Sequence, residues 1–272
     1  MTTDHAEQGS RKPRPVRARA KRAAGLTAAL TLTVLGLTGC TNDTFTRLGF
    51  PPPITKQGNT VLTLWQGSWI AAIAVCLLIW GLVLWAVVFH RKRGDKLPMQ
   101  ARYNMPIEIM YTAVPFVLIA VLFYFTAKDE NYIDKLPAKP AVTVDVLGFQ
   151  WSWQFHYPQY GVTNIGNMWG EGPLPVLEIP TGETVQFNLT SSDVIHAFWV
   201  PEFLFKRDVI PGHPNHFTIT ATQTGTFIGH CSELCGLYHS RMLFTVKVVT
   251  PQQFQAYMAA QQAAQSSSGS TQ

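Results

Sequence analysis

Two thiols, an imidazole and a thioether lie within twelve residues of the C-terminal half, in the segment Cys231-Ser-Glu-Leu-Cys235-Gly-Leu-Tyr-His239-Ser-Arg-Met242. A second imidazole, His196, stands upstream of them. Copper accepts thiolate, imidazole and thioether together, whereas calcium requires oxygen ligands and zinc gains little from methionine. This group of side chains therefore predicts a copper site.

The number of cysteines indicates how many copper ions the site holds. A mononuclear blue-copper site uses one cysteine, two histidines and a weak axial methionine, whereas here two cysteines accompany the same two histidines and one methionine. The economical arrangement is a pair of ions bridged by both thiolates. Each ion then takes one imidazole and one weak axial donor, which is Met242 for one and a backbone carbonyl between the cysteines for the other. A pair that shares an unpaired electron, with no open position for a substrate, is suited to electron transfer.

A disulfide between Cys231 and Cys235 is the alternative, because thiols oxidise outside the cytoplasm. The cysteines alone do not decide between a metal site and a disulfide. The two histidines and Met242 at matching offsets favour the metal. His213 and His216 are predicted to lie in a surface loop, because no thiol is near them in sequence.

The segment that must position these ligands, residues 128–250, reads as an all-β domain. Polar and apolar residues alternate in short runs separated by Pro and Gly, which predicts an antiparallel sandwich or barrel of about 120 residues. The predicted strands cover residues 142–146, 151–157, 184–189, 217–220, 226–229 and 243–249. The tail, 251–272, is predicted to form a short helix to Gln265 and to be disordered from Ser266.

Residues 40–127 read as a membrane anchor. The uncharged run Trp65–Phe89 would make about 37 Å of helix, and a second predicted span covers residues 108–127. The loop between them, residues 90–96, is basic and is predicted to face the cytoplasm, which places the β-domain outside. Cys76 lies within the first span and is predicted only to pack. The chain is thus expected to cross a bacterial cell membrane twice.

The N-terminal segment is predicted to be a targeting sequence. Residues 1–39 hold seven Lys or Arg followed by an apolar run, and the segment ends Leu37-Thr38-Gly39-Cys40, which resembles a bacterial lipoprotein cleavage box. We expect a signal peptide cleaved before Cys40 and a lipid on that cysteine. An ordinary signal peptide is the alternative.

The distribution of charge excludes a nucleic-acid binder. The chain has 272 residues and a net charge of +5, but residues 128–272 carry a net charge of −4. The basic excess therefore lies in the leader and the anchor, and no basic patch remains in the β-domain for a phosphate backbone. The high hydrophobic content, 47% against 14% charged residues, also excludes a disordered chain.

Residues 55–250 closely resemble subunit 2 of the haem-copper cytochrome c oxidases, through the pattern C-x-E-x-C-x3-H-x2-M and the placement of His196 upstream. The resemblance implies a two-helix anchor and a cupredoxin-like Greek-key β-domain that holds the dinuclear copper centre called CuA. By this resemblance both cysteines bridge, His196 and Met242 complete one copper ion, and His239 and the Glu233 carbonyl complete the other. The Glu233 side chain would help to hold a magnesium ion shared with subunit 1.

Three further segments carry the resemblance. Phe149-Gln-Trp151-Ser-Trp153 resembles an aromatic signature in which the first Trp, here Trp151, receives the electron. From the residues alone Trp151, Trp153 and Phe155 would share the core face of one strand. Residues 206–212 resemble a loop that packs over the haem propionates of subunit 1.

Glu108 permits two roles that are compatible with each other. Asn104 and Pro106 before it indicate a helix start, where an acid stabilises the positive end of the helix. Residues 107–115 resemble the second span of the family, in which this Glu lies at the cytoplasmic mouth of a proton pathway.

The resemblance implies the electron-accepting subunit of cytochrome c oxidase. Electrons would come from a reduced c-type cytochrome, soluble or membrane-tethered, and pass to the haem of subunit 1, where oxygen is reduced and protons are translocated. The partners would be subunit 1, which alone holds haem, and the other oxidase subunits. The alternatives are a membrane-tethered copper chaperone lipoprotein and subunit 2 of a quinol oxidase, which lacks the copper ligands.

Overall fold

The computed structural model describes residues 42–92, 94, 99–167 and 172–269. The predicted signal peptide and Cys40 lie outside these residues. The chain divides into two compact units, of which the first ends at Gly49 and the second begins at Phe50. Helix α1 (Asn42–Thr46) belongs to the first unit, and all the elements discussed below belong to the second.

The second unit has two long helices, a β-domain and a C-terminal helix. The helices are α2 (Lys56–Phe89), α3 (Met105–Ile133) and α4 (Pro251–Gly269). The strands are β1 (Val142–Phe149), β2 (Ser152–Tyr157), β3 (Val162–Ile165), β4 (Val176–Pro180), β5 (Thr184–Ser191), β6 (His196–Val200), β7 (Phe205–Val209), β8 (Asn215–Thr220), β9 (Gly225–Cys231) and β10 (Leu243–Val249).

Helices α2 and α3 are both long and apolar enough to cross a membrane, and among the described residues only these two pass that test. Both begin before the predicted spans, because capping side chains set the helix starts rather than the ends of the apolar runs, and α3 also continues past its predicted span to Ile133. The hydroxyl of Thr55 accepts from the Gly58 N–H at the start of α2. At the start of α3 the Asn104 side chain accepts from the Ile107 N–H.

The β-domain is a sandwich of two five-stranded sheets, with strand orders β3-β2-β1-β5-β8 and β4-β10-β9-β6-β7. This arrangement confirms the cupredoxin-like β-sandwich. The expectation of a wholly antiparallel domain is wrong, since β1 pairs with β5 and β4 with β10 in parallel. Between β1 and β5 the chain passes through β4 of the opposite sheet, and it returns in the same direction. Such crossovers allow parallel neighbours.

The six predicted strands all exist, but β3, β4, β6 and β7 were not predicted. In β4 four consecutive residues are buried, and in β6 four of five are buried. A strand that is covered on both faces shows no period of two, so alternation cannot reveal it. Strand β7 was assigned to a loop from the resemblance, whereas the structure pairs it with β6.

The two sheets are joined by an aromatic core and by one buried hydroxyl. Trp153, Phe198 and Phe244 are almost fully buried and pack edge-on or stacked against one another. The hydroxyl of Tyr157, on β2, donates to the carbonyl of Glu178 on β4 and accepts from its N–H, both at 2.9 Å. Because Tyr157 is fully buried, desolvation raises its pKa well above the usual value. This hydroxyl ties one sheet to the other.

The β-domain begins earlier in the chain than residue 128, because the segment before α2 contributes to it. Ile54 is 2% exposed within the core. Its N–H donates to the Glu202 carbonyl at 3.0 Å, and its carbonyl accepts from Thr222 at 2.7 Å. Thr55, also buried, bridges to Ala221. The N-terminal end of α2 is thus built into the sandwich.

Helix α4 continues to Gly269, which corrects the expectation of disorder from Ser266; residues 270–272 lie outside the described part of the chain. Phe254 and Met258 are buried against the sandwich. The side chains of Gln262 and Gln265 donate to the carbonyls of Tyr160 and Thr163. These contacts with the β-domain continue the helix through a serine-rich sequence that has little helical preference of its own.

Candidate metal centre

Cys231 and Cys235 face each other as free thiols at one end of the sandwich. Both are buried, and their sulfur atoms are 3.8 Å apart. A disulfide would require about 2.05 Å. The disulfide alternative is therefore not what this structure shows.

Each thiol has its own imidazole. His196 Nδ1 lies 3.8 Å from the sulfur of Cys231, and His239 Nδ1 lies 3.6 Å from the sulfur of Cys235. The ligand atoms of His196 and the two cysteines all lie within 4.8 Å of one another. The distant imidazole predicted from sequence thus reaches the thiols.

Two weaker donors complete the cluster. Met242 Sδ lies 3.8 Å from the Cys235 sulfur, and the Glu233 carbonyl oxygen lies 3.3 Å from the Cys231 sulfur. Met242 is fully buried. Two thiols, two imidazoles, a thioether and a carbonyl in one pocket are a donor set that fits copper.

Three neighbouring strands of one sheet hold these ligands. His196 is the first residue of β6, Cys231 is the last residue of β9, and Met242 directly precedes β10. The Cys231 N–H donates to the Met242 carbonyl at 3.0 Å, which closes the ligand loop at its base. Gly236, within this loop, has a φ of 120°, a conformation that favours glycine.

The thiols ionise unequally. Burial raises the pKa of Cys231, but hydrogen bonds from His196 and from the backbone outweigh it, and the pKa falls to about 7. Burial and the neighbouring Cys231 raise the pKa of Cys235 to about 12. Two adjacent thiolates repel each other, and cations bound between them would stabilise the charged form of both.

Asp193 orients one imidazole, a role that the sequence reasoning missed. Its carboxylate accepts from His196 Nε2 at 2.8 Å and from the N–H groups of Gln150 and Val194. Burial alone would raise the pKa of Asp193, but these hydrogen bonds lower it. With Nε2 engaged, Nδ1 is left towards the thiol, as metal-ligating histidines require. The spacing Asp-x-x-His before a strand was the available signal.

Trp151 lies over the thiol loop rather than in the core. Trp153 and Phe155 are fully buried on β2, as expected. Trp151 precedes β2 in a tight turn, so its side chain does not share their face. Its indole Nε1 donates to the Cys235 carbonyl at 3.1 Å, and the Gln150 amide donates to the same oxygen at 2.8 Å.

Glu108 lies at the start of α3 and forms part of the helix cap. Its carboxylate accepts from the Asn104 N–H at 2.9 Å. The capping role is therefore confirmed, while the structure does not bring Glu108 to the copper ligands. Glu233 is exposed, although its carbonyl oxygen lies beside the Cys231 sulfur.

The competing imidazoles remain outside the cluster, as expected. His213 and His216 are exposed, although His216 lies on β8 rather than in a loop and contacts Asn188 Oδ1 at 2.9 Å. Within the segment 206–212, Arg207 lies on β7 and forms an ion pair with Asp134, just after α3. Strand pairing, not loop structure, orders most of this segment.

Fold and site together define a β-sandwich protein with two helices long and apolar enough to cross a membrane and with a thiol–imidazole cluster that fits copper. Residues 174–249 match the family described as cytochrome c oxidase subunit II, periplasmic domain. The chain is 45% identical to a probable cytochrome c oxidase subunit 2 of Streptomyces avermitilis, over 95% of this chain and 91% of that protein. It is 37% identical to cytochrome c oxidase subunit 2 of Mycobacterium tuberculosis, over 89% of this chain and 82% of that protein.

A solved structure, the periplasmic domain of subunit II of cytochrome oxidase of Bradyrhizobium japonicum, is 29% identical, with a TM-score of 0.42, and covers 48% of this chain and 99% of that one. By the sequence relationships, the chain belongs to the cytochrome c oxidase subunit 2 family. It is accordingly a subunit of an oxidoreductase complex.

The Asp193→Asn substitution should weaken copper binding. An amide cannot accept from His196 and both backbone N–H groups as the carboxylate does, so the imidazole loses its fixed orientation. We expect the copper affinity to fall by about 10- to 100-fold, measured by competition with a copper chelator. Asp145→Asn is the matched control, because that carboxylate accepts from Asn188 on the outer face of the first sheet. An equal effect of both substitutions would remove the proposed role of Asp193.

Proposed function

We propose that this chain accepts electrons from a reduced c-type cytochrome through a dinuclear copper centre and passes them to the haem of subunit 1. The observation that carries the proposal is the pair of buried free thiols, 3.8 Å apart, each with its own imidazole. Copper bound by these residues supplies a one-electron redox couple. Oxygen reduction, and the proton translocation coupled to it, belong to the complex with subunit 1.

The division of the ligands that we propose follows the family resemblance, and the contacts bring all six donors into one cluster. Cys231 and Cys235 would bridge the two ions. His196 and Met242 would complete one ion, and His239 and the Glu233 carbonyl the other. Ligands that are buried and held by strands should move little when the charge of the site changes. The ring centroids of Trp153 and His196 are 6.1 Å apart, and the close-packed aromatic core around Trp153 resists displacement of the His196 ring.

The copper content and the reaction with the donor test this function. The purified full-length chain should bind two copper ions and show a thiolate-to-copper absorption band that reduced c-type cytochrome bleaches. Cys231→Ser should lose the band, whereas Cys76→Ser, which changes an exposed thiol on α2, should retain it. One copper ion or none would contradict the proposal. A copper chaperone, the second candidate from sequence, would transfer its metal to an acceptor rather than be reduced.

Trp151 is proposed as the residue that receives the electron. It is only half-buried, its edge packs against Tyr238 with ring centroids 5.0 Å apart, and its indole donates to the carbonyl of a thiol ligand. One hydrogen bond thus connects a partly exposed aromatic ring to the ligand loop.

Trp151→Phe should slow electron transfer from the cytochrome without loss of copper, because phenylalanine cannot donate to the Cys235 carbonyl. We expect the rate constant of reduction, measured by stopped flow, to fall by about tenfold or more, or about 1.4 kcal/mol of activation free energy. Trp199→Phe is the control, since Trp199 is another partly exposed indole whose ring packs on His230 rather than on Tyr238. Unchanged reduction in Trp151→Phe would exclude this route.

We also propose that Glu108 lies at the cytoplasmic entrance of a proton pathway, in addition to its cap. Two membrane crossings with the β-domain outside would place the α2–α3 connection, and hence Glu108, at the cytoplasmic face. An acid that is needed only for a cap would matter for stability and not for turnover.

Glu108→Gln should lower oxidase turnover by about tenfold or more, because a side-chain amide does not titrate and so cannot take up and pass on a proton. Asn104→Ala separates the two roles, since it removes the side chain that caps Ile107 and leaves the carboxylate. Oxygen consumption by the assembled complex is the measurement. If both variants lose the same turnover, the cap alone accounts for the effect. A chaperone would be indifferent to the substitution at Glu108.

We also propose contacts of this chain with subunit 1 and with the electron donor, and a lipid at its N-terminus. The exposed Glu233 carboxylate would help to hold magnesium at the contact with subunit 1, and residues 206–212 would face the haem propionates. The net charge of −4 over residues 128–272 would steer a basic donor, soluble or tethered. Lipidation of Cys40 and cleavage before it remain predictions.

A further inference from the structure

A cavity of about 260 Å³ lies between the outer ends of the two long helices and the sheet edge formed by β5 and β8. It is distinct from the metal centre and shares none of its ligands. Besides Tyr132 and Pro137, its lining consists of Lys56, Gln57, Lys135, Thr184, Thr218 and Thr220.

The lining of this cavity is cationic and rich in hydrogen-bond donors. Lys56 and Lys135 form no ion pair within the described part of the chain, and no acidic side chain lines the cavity. Lys56 is also the first residue of α2, where the helix dipole places partial positive charge. The local field therefore favours an anion.

The walls that carry these groups are fixed by hydrogen bonds. Gln57 is only 8% exposed, and its Oε1 accepts from the Thr220 N–H at 3.0 Å. No hydrogen bond from the amide nitrogen of Gln57 joins it to the described residues, so this donor is open to the cavity that Gln57 lines. Thr218 donates to the Lys135 carbonyl at 3.2 Å, which holds the second lysine at the rim. Thr184 and Thr220 share a hydrogen bond of 3.0 Å and add hydroxyls to the same wall.

We propose that this cavity binds a phosphate group. A tetrahedral oxyanion accepts several hydrogen bonds at once, so it can use two ammonium groups, the Gln57 amide and the threonine hydroxyls together. A neutral ligand would leave the two lysines uncompensated. A metal cation would be repelled by them.

The position of the cavity allows two sources for the phosphate. Lys56 precedes Trp65, the start of the uncharged run, by nine residues, or about 14 Å of helix. The cavity therefore lies at the water-facing border of the membrane layer, within reach of either an anionic phospholipid headgroup or a soluble phosphate. The recognition chemistry is the same for both.

Lysine reactivity tests the proposal in the purified oxidase complex. The acetylation rates of Lys56, Lys135 and Lys139 are measured by mass spectrometry in neutral detergent. One arm adds inorganic phosphate against chloride at equal ionic strength, and the other adds phosphatidylglycerol to the micelles against oleate. Lys139 is the internal control, because it is exposed and does not line the cavity.

We expect Lys56 and Lys135 to react about threefold more slowly with the bound ligand, the effect of a ligand at about twice its Kd, while Lys139 is unchanged. Protection by inorganic phosphate identifies a soluble source, and protection by phosphatidylglycerol alone identifies a lipid. Lys135→Gln should abolish the protection of Lys56, whereas Lys139→Gln should not.

Three results would overturn the proposal. The first is no protection in either arm, and the second is equal protection by oleate or of Lys139, which would show unspecific attraction of anions. The third is that Lys56 and Lys135 are unreactive in every condition, which would show that a partner subunit fills the cavity.

Discussion

Two buried thiols stand side by side inside the protein, each next to its own imidazole, and the rest of the site is arranged around this pair. The 3.8 Å separation is too long for a disulfide and short enough for the Cys231 thiolate to suppress ionisation of Cys235. Metal binding relieves this repulsion, since cations stabilise both thiolates. Together with the neighbouring imidazoles, thioether and carbonyl, the two thiols make a donor set that fits copper.

The sandwich holds this donor set by placing ligands on adjacent strands of a single sheet. Strands β10, β9 and β6 are neighbours, and Met242, Cys231 and His196 stand at the ends of these strands. Backbone ladders fix the spacing of the three ligands, while the donors from Glu233, Cys235 and His239 depend on the loop. The Asp193 carboxylate and the buried Trp153 ring then set the orientation of His196 from two sides.

Much of the site could be predicted from sequence, because most of its ligands lie in one short segment with distinctive chemistry. The half-buried strands were also predictable from their alternation. Strands β4 and β6 were not, because burial on both faces removes the period of two. The position of Trp151 depended on a turn that interrupts the strand pattern. Asp193 acts through the second nitrogen of His196, a relation that exists only once the ring is oriented.

The junction between anchor and sandwich was the least predictable feature, since it rests on a few residues far apart in sequence. Ile54 fills a core position among strands that come more than 80 residues later, and its two backbone hydrogen bonds join it to Glu202 and Thr222. On the other helix, Asp134 pairs with Arg207, and the carbonyl of Lys135 accepts from Thr218. None of these contacts leaves a periodic trace in the sequence.

The contacts at the start of α2 and at the end of α3 make the junction between anchor and sandwich rigid. A domain joined to the membrane by one flexible linker would present the end with the candidate metal ligands at a range of heights and tilts. With both helices fastened to the sandwich, that end would keep one height above the bilayer, and the donor proposed above would meet the same face at the same angle. The electron-transfer distance would then be set by the folded structure and would not vary with the motion of a linker.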